Sequence, residues 1–328
     1  MPHPACLSRR VFGAIVSAAA LTLPSLALAQ SYPSKAIEWV VPYPAGGGTD
    51  VVARTLAEAM GKTLGQPLVV VNKPGAATNI GAAYVAHAKP DGYTILSADT
   101  ATLAANPYLY SKLGYNAEKD FASLGLTVRF PLILAVNPKV PAKNLKEFLA
   151  WARTQDAASY ATPGAGSPHH LATELFSKDA GITFTHVPYR GAAPAVQDVV
   201  GGQVPFMFVD TASGQQFING NKLRALGIAS SKRVKNFENV ATLNEQGMKG
   251  FEAYAWQGLV APAGTPREVV EKLNRALLAA MDSTEVKARL QALGLEAIPS
   301  SPAQMDKYAT DERAKWSRVI KVSHLKLD

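Results

Sequence analysis

Hydrophobic positions along the chain follow two alternating rhythms. Short β-branched runs at 37–41 and 68–71 are separated by a segment, about 50–64, in which Val52, Leu56, Met60 and Leu64 recur every four residues. That recurrence puts the apolar side chains on one face of a helix, and Gly65 followed by Pro67 stops it. The same grammar continues with a helix over 79–88, a turn at Lys89-Pro90-Asp91-Gly92 and a strand over 93–97. Further strands are predicted at 132–136, 159–161, 183–187, 205–209 and 224–228, with helices over 145–153, 170–178 and 193–200. Alternation of this kind predicts an α/β fold with mainly parallel sheets covered on both faces.

From Pro266 onward the rhythm becomes helical only, with helices expected over 266–281, 284–293 and 302–324 and no strand among them. Such a tail must rest on a sheet built earlier in the chain. The expected organisation is therefore a first domain of 30–128 plus 252–328 and a second of 129–251, the chain crossing near 127–131 and again near 251–257. Two crossings make a hinge, and a hinge makes a closing cleft.

The N-terminus reads differently. Arg9 and Arg10 precede an apolar run, 11–28, that is broken by Pro24 and ends in Ala27-Leu28-Ala29. This is the pattern of a secretory signal with cleavage before Gln30, so residues 1–29 are set aside from fold reasoning and the mature protein is expected in the periplasm. The single cysteine, Cys6, lies ahead of that run and would leave with it. A mature chain without thiols suits an oxidising compartment and removes thiolate nucleophiles, zinc–thiolate sites and disulfides together. With 48% hydrophobic residues the chain can bury one large core or two moderate ones.

Loss of the two signal arginines lowers the formal charge from +8 to +6, a weak bias toward anionic partners. Nucleic acid would require clustered cations, and Ser231-Lys232-Arg233-Val234-Lys235 is too short to make a groove. Catalytic signatures are missing as well. There is no G-x-S-x-G elbow, and the adjacent His169 and His170 diverge on a helix where metal binding would want convergence. No cofactor and no metal is expected.

Two glycine-rich loops stand out. Pro42-Tyr43-Pro44-Ala45-Gly46-Gly47-Gly48-Thr49-Asp50 joins a strand to a helix, with Thr49 or Asp50 as its expected cap. Free amides and the helix dipole make such a start an anion site, although a plain strand-to-helix turn reads equally well from this loop alone. The second loop, Ala161-Thr162-Pro163-Gly164-Ala165-Gly166-Ser167-Pro168-His169-His170, has the same character in the second domain. If both face the cleft, as strand ends in open α/β sheets do, they become opposing jaws on one carboxylate. Other candidate cleft walls are 97–102, Tyr189-Arg190-Gly191 and Asp210-Thr211. Arg190 reads as either a ligand contact or a surface cation, and Asp210 reads first as a helix cap or hinge contact. Tyr43, Phe130, Tyr189 and Phe208 are candidates for an apolar floor.

Taken in order, these residues resemble a known family. Tyr32-Pro33-Ser34-Lys35-Ala36-Ile37 leading into the first glycine loop, Asn72-Lys73-Pro74-Gly75 with Asn79-Ile80-Gly81, Lys89-Pro90-Asp91-Gly92-Tyr93, Gly166-Ser167-Pro168-His169-His170-Leu171, Val187-Pro188-Tyr189-Arg190-Gly191 and Ala261-Pro262-Ala263-Gly264-Thr265-Pro266 are similar to the Bug-type solute receptors of tripartite tricarboxylate transporters. The resemblance covers nearly the whole mature chain. It implies a type II periplasmic-binding-protein fold that closes on a carboxylate held by the two loops, partly through bridging waters. By matching position the ligand-binding residues would be Tyr43, Ala45, Gly46, Gly47, Gly48, Thr49, Asp50, Thr162, Gly166, Ser167 and His169, with Thr100, Asn106, Arg190 and Asp210 in addition. Lys73 and Ala76-Ala77-Thr78 depart from the family's usual arginine and glycines.

The implied function is capture of a small carboxylate, a dicarboxylate or an aromatic acid, by a monomeric, non-enzymatic receptor working with membrane subunits of that transporter type. The aromatic floor tilts the expectation toward flat or aromatic acids. An orphan receptor that presents its ligand-bound form to a sensor protein is the alternative output, and a secreted hydrolase is the alternative chemistry.

Overall fold

A computed structural model describes Met1, residues 32–323 and residues 325–327. The signal segment and the cleavage point before Gln30 lie outside the described residues.

The first strand, β1 (Ile37–Val41), leads through the glycine loop into α1 (Gly48–Leu64) and then β2 (Leu68–Asn72). Val52, Ala53, Leu56, Ala57, Met60 and Leu64 form the buried face of α1, and Gly65 closes it at φ 70° with its N–H on Gly61 O. The helix starts earlier than the expected cap. Gly47 is its N-cap, because the Asp50 carboxylate turns inward to Arg54 and Asn72.

The chain continues through α2 (Asn79–Ala86), β3 (Thr94–Asp99), a wide helical turn at Ala101–Ala105 and α3 (Asn106–Leu109) into β4 (Phe121–Val136). After α4 (Leu145–Ala152) come β5 (Ser159–Thr162), α5 (Pro168–Ala180), β6 (Thr185–Pro188), α6 (Ala192–Gly201), β7 (Phe206–Asp210), α7 (Thr211–Asn219) and β8 (Arg224–Ile228). The return strand β9 (Tyr254–Pro262) precedes α8 (Arg267–Asp282), α9 (Thr284–Ala292), β10 (Glu296–Ala297) and α10 (Pro302–Val322). The tail thus holds one strand that the helical rhythm hid. Two residues long, β10 adds antiparallel to Val128 and Arg129 of β4.

Strands run in the order β2-β1-β3-β9-β4-β7-β5-β6, with β8 and β10 also on β4. Parallel pairing links β1 to β2 and β3, and β5 to β6 and β7. Every antiparallel pairing among the described residues involves β4 or β9, the two strands that carry the chain between the two sets. Phe121–Pro131 of β4 pairs with β9, whereas Leu132–Val136 pairs with β7 and β8. The return passes from Ala253, whose N–H binds Ala229 O, directly into β9.

Each set is buried on both faces, which is why its strands read as continuous apolar runs. In β1, Ile37, Trp39 and Val41 face α1, α8 and α9, while Val40 faces α2 and α10. In β4, Leu132, Leu134 and Val136 face α4 and α5, while Ile133 and Ala135 face α6. Among the described residues no helix is long and apolar enough to cross a membrane.

The glycine loop is held in place by the packing of α1. Leu56 is fully buried in that face, so Leu56→Ala is expected to lower stability by about 2–5 kcal/mol, measured by urea unfolding followed by circular dichroism.

Candidate ligand-binding cleft

A cleft of about 700 Å³, open mouth included, lies where the two strand sets meet. Its walls are the segments that follow β1, β5 and β6 with the last residues of β3 and β7, Asp99 and Asp210, and its floor is Phe130 of β4 and Ala255–Gln257 near the start of β9. The two sets touch across it. A Cβ built on Gly48 would lie 2.9 Å from Phe130 Cε1, 3.2 Å from Asp210 Oδ1 and 3.3 Å from Ala212 Cβ, and one on Gly191 would lie 3.3 Å from Pro44 Cγ. Both glycines permit a backbone approach that any side chain would obstruct.

Four helices begin at this cleft, and they differ in what fills their starts. Ser167 caps α5 by accepting from His170 N–H, and Asp210 caps α7 by accepting from Ser213 N–H. The α1 and α6 starts have glycine caps, Gly47 and Gly191, with no side-chain cap. In α1 the Gly46 N–H is spent on Asp50 Oδ2 at 3.0 Å, and the Gly48 and Thr49 N–H groups, in the first turn, have no acceptor among the described residues. In α6 the Gly191 N–H goes to Pro163 O and Pro194 has none, leaving those of Ala192 and Ala193. Gly48, Thr49, Ala192 and Ala193 all line the cleft.

The second loop is less open than its composition promised. Gly164 N–H donates to Thr162 Oγ1, Ser167 N–H to Gly164 O and Gly166 N–H to His170 Nδ1. Most of its amides are therefore satisfied internally, and the uncapped helix start on that side of the cleft belongs to α6.

Of the residues singled out from sequence, Tyr43, Ala45, Gly47, Gly48, Thr49, Ser167, His169, Arg190 and Asp210 line the cleft. The others sit behind it. Gly46 and Asp50 bond to each other. Burial pushes the Asp50 carboxyl up, but Arg54, Gly46 and Asn72 outweigh that and hold it below the usual carboxylate range. Thr100 Oγ1 accepts from Trp256 N–H at 3.3 Å. Asn106 Nδ2 donates to Ala77 O and Asn79 Oδ1, each at 2.7 Å. Thr162 Oγ1 meets His186 Nε2 at 2.7 Å, and Gly166 is occupied as described.

The expected aromatic floor needs correction. Phe208 is core, packed on Phe176 and Phe251, and Tyr189 turns its hydroxyl to Asp198 at 2.7 Å. Phe130 and Tyr43 remain. Asp99 and Gln257 join the cleft instead. A signal for Gln257 was present, a lone amide in the apolar run 254–262.

The charges are few. Among the described residues, Arg190 is exposed at the rim with no ion pair and is the only lysine or arginine on the lining. His169 Nε2 lies 3.2 Å from Asp210 Oδ2, both side chains buried. Burial drives the Asp210 carboxyl up, yet His169 and Ser213 overcome it and keep the pKa low. Asp99 goes the other way: burial raises it although Thr102 and the Tyr43 hydroxyl, 2.5 Å away, donate to it. The adjacent histidines do separate, His169 to Asp210 and His170 to Gly166, and among the described residues no group of three or more His, Cys, Asp or Glu side chains could hold a metal.

Residues 52–325 match the model of the tripartite tricarboxylate transporter family receptor. The chain belongs to this receptor family. Over 319 residues the receptor is 34% identical to protein BugT of Bordetella pertussis, with 97% of each chain covered. It is similar to the solved structure of periplasmic binding protein BugD, with TM-score 0.86 and 36% identity over 90% of this chain and 100% of that one. It is also similar to R. palustris Rpa4515 with adipate, at TM-score 0.87 and 31% identity over 90% and 100% of the two chains. The receptor therefore has the α/β periplasmic-binding-protein fold.

Under the second loop, the rings of His170 and His186 stack 3.9 Å apart at 7°. Burial, then the neighbouring His186, pulls His170 down to about 3, and burial pulls His186 down to about 4. Both folded values lie below the unfolded value of about 6.5, so protons favour the unfolded chain. The stability associated with the neutral pair is whole above about pH 6.5 and drains away as pH falls toward 4. The melting temperature is expected to drop by several degrees across that window, and less in His186→Gln, in circular-dichroism melts between pH 7.5 and 4.5; equal drops would remove the stacked pair as the cause.

Proposed function

We propose that the receptor captures a small carboxylate in the periplasm and passes it to membrane subunits of a tripartite tricarboxylate transporter, without chemical turnover. One observation carries this reading: the uncapped starts of α1 and α6, from opposite strand sets, present unspent N–H groups to one cleft beside the unpaired Arg190. Free amides at the positive end of a helix dipole are an anion site. Hydrogen bonds to a charged acceptor contribute about 1.5–3 kcal/mol each, so a few of them suffice for a small anion. The adipate held by Rpa4515 supports the ligand class. Output through a transporter rests on the family description; a sensor would use the same cleft.

Closure belongs to the same reading. Among the described residues, the chain up to Pro131 together with that from Tyr254 onward makes one lobe and 132–253 the other, turning about the passes at Pro131–Leu132 and Ala253–Tyr254. The approach of Gly191 to Pro44 and of Gly48 to Asp210 and Ala212, too close to leave room for a side chain, supports a closed arrangement. Against a hydrolase, no hydrogen bond among the described residues joins His169 to a serine: Nε2 meets Asp210 and Nδ1 has no partner.

Calorimetric titration with adipate is expected to give saturable heat. Gly48→Val should weaken binding by at least about tenfold, or about 1.4 kcal/mol, because its side chain meets Phe130 and Asp210 and covers the α1 donors. Arg190→Ala should cost less, since an exposed rim charge contributes little. Unchanged affinity in Gly48→Val would sink the reading. Export is checked separately: protein recovered from the periplasm should begin at Gln30 by N-terminal mass spectrometry.

A further inference from the structure

Gln257 is 1% exposed and lines the cleft floor, yet neither its Nε2 nor its Oε1 has a hydrogen-bond partner. A buried amide normally finds partners, because an unpaired one bears its full desolvation cost. Its strand setting fixes where it points. Gln257 of β9 stands directly opposite Asp99 of β3 and Val128 of β4, and opposed residues in antiparallel strands share a face. Asp99 also lines the cleft, so the two polar groups are neighbours on the floor. No hydrogen bond joins Asp99 to Gln257; the Asp99 oxygens take the Tyr43 hydroxyl on one side and the Thr102 N–H and hydroxyl on the other.

We infer that Gln257 reads the end of the ligand opposite the gripped carboxylate, and that this end is a neutral group with both a donor and an acceptor, a primary amide, in place of a second carboxylate. The inference rests on the carboxylate reading above and deepens it. A second carboxylate could accept only from Nε2. It would press its charge against Oε1, and the lining residues hold no lysine or arginine other than Arg190 at the rim. A primary amide pairs with both atoms of Gln257 in one plane, its N–H on Oε1 and its carbonyl on Nε2. Sites built to pair a polar group reject analogues that leave their own groups unpaired.

The test is calorimetric titration of matched probes at three chain lengths: succinate, succinamate and butyrate; glutarate, glutaramate and valerate; adipate, adipamate and hexanoate. At the length that fits, the half-amide should bind at least about tenfold more tightly than the dicarboxylate, a gap of about 1.4 kcal/mol. Gln257→Leu and Gln257→Met should erase that preference while leaving the alkyl acid within about twofold. Their melting temperatures without ligand should equal or exceed that of the wild type, since an unpaired buried amide has been removed. Dicarboxylates binding as tightly as half-amides at every length, or Gln257 variants that weaken half-amide and alkyl acid alike, would overturn the inference and leave the carboxylate receptor standing. No binding of any probe would overturn both.

Discussion

A helix start whose N–H groups are not capped needs an acceptor from elsewhere, and the arrangement of this receptor follows from that need. Four helices open onto the cleft. Side-chain oxygens fill two of them, Ser167 at α5 and Asp210 at α7; glycines leave α1 and α6 unfilled. The acid best placed to neutralise α1 is Asp50, in its first turn. Arg54 and Asn72 draw its carboxylate away from the opening, so the donors remain for a ligand. Gly48 and Gly191 then let the two sides come close to each other.

Such donors function only if they are held at a fixed separation, and the sheet provides that. Buried strands and helices on both faces anchor the α1 start through the core around Trp39 and Leu56 and the α6 start through the core around Val196 and Val199. The two anchors communicate through β4 and β9 and through a few side contacts, such as the Thr211 hydroxyl on Gly294 O.

The sequence was most legible where burial imposes a period. The four-residue recurrence in α1, the strand 37–41 and the three tail helices were all visible in apolar spacing. Legibility failed where polar or small residues are satisfied by tertiary contacts. Gly125 and Thr127 interrupt the first half of β4, yet Gly125 lies against Ser300 O and the Thr127 hydroxyl bonds Gln257 O. Helix α7 reads Thr-Ala-Ser-Gly-Gln-Gln with almost no apolar period; its seat depends on Gly214 packing against Val209. At the site, the glycine loops were conspicuous, but which amides remain free depends on where Asp50, Ser167 and His170 direct their side chains, and spacing does not encode that.

The presence of two acids on the wall of an anion cleft looks contradictory until their partners are counted. Asp210 is ionised, but His169 and the Ser213 N–H answer its charge within hydrogen-bond distance. Asp99 is pushed by burial toward its neutral form and is encircled by hydroxyl and amide donors. Neither acid projects uncompensated charge onto the α1 and α6 starts, so the helix ends keep their pull on a carboxylate. At the floor the balance differs: Asp99 is bonded and Gln257 is not, and the amide is the one floor group whose needs only a ligand or water can meet. The cleft is thus polar in two distinct ways, positive through its main chain at the helix starts and neutral but unsatisfied at β9, where the inferred recognition of an amide would act.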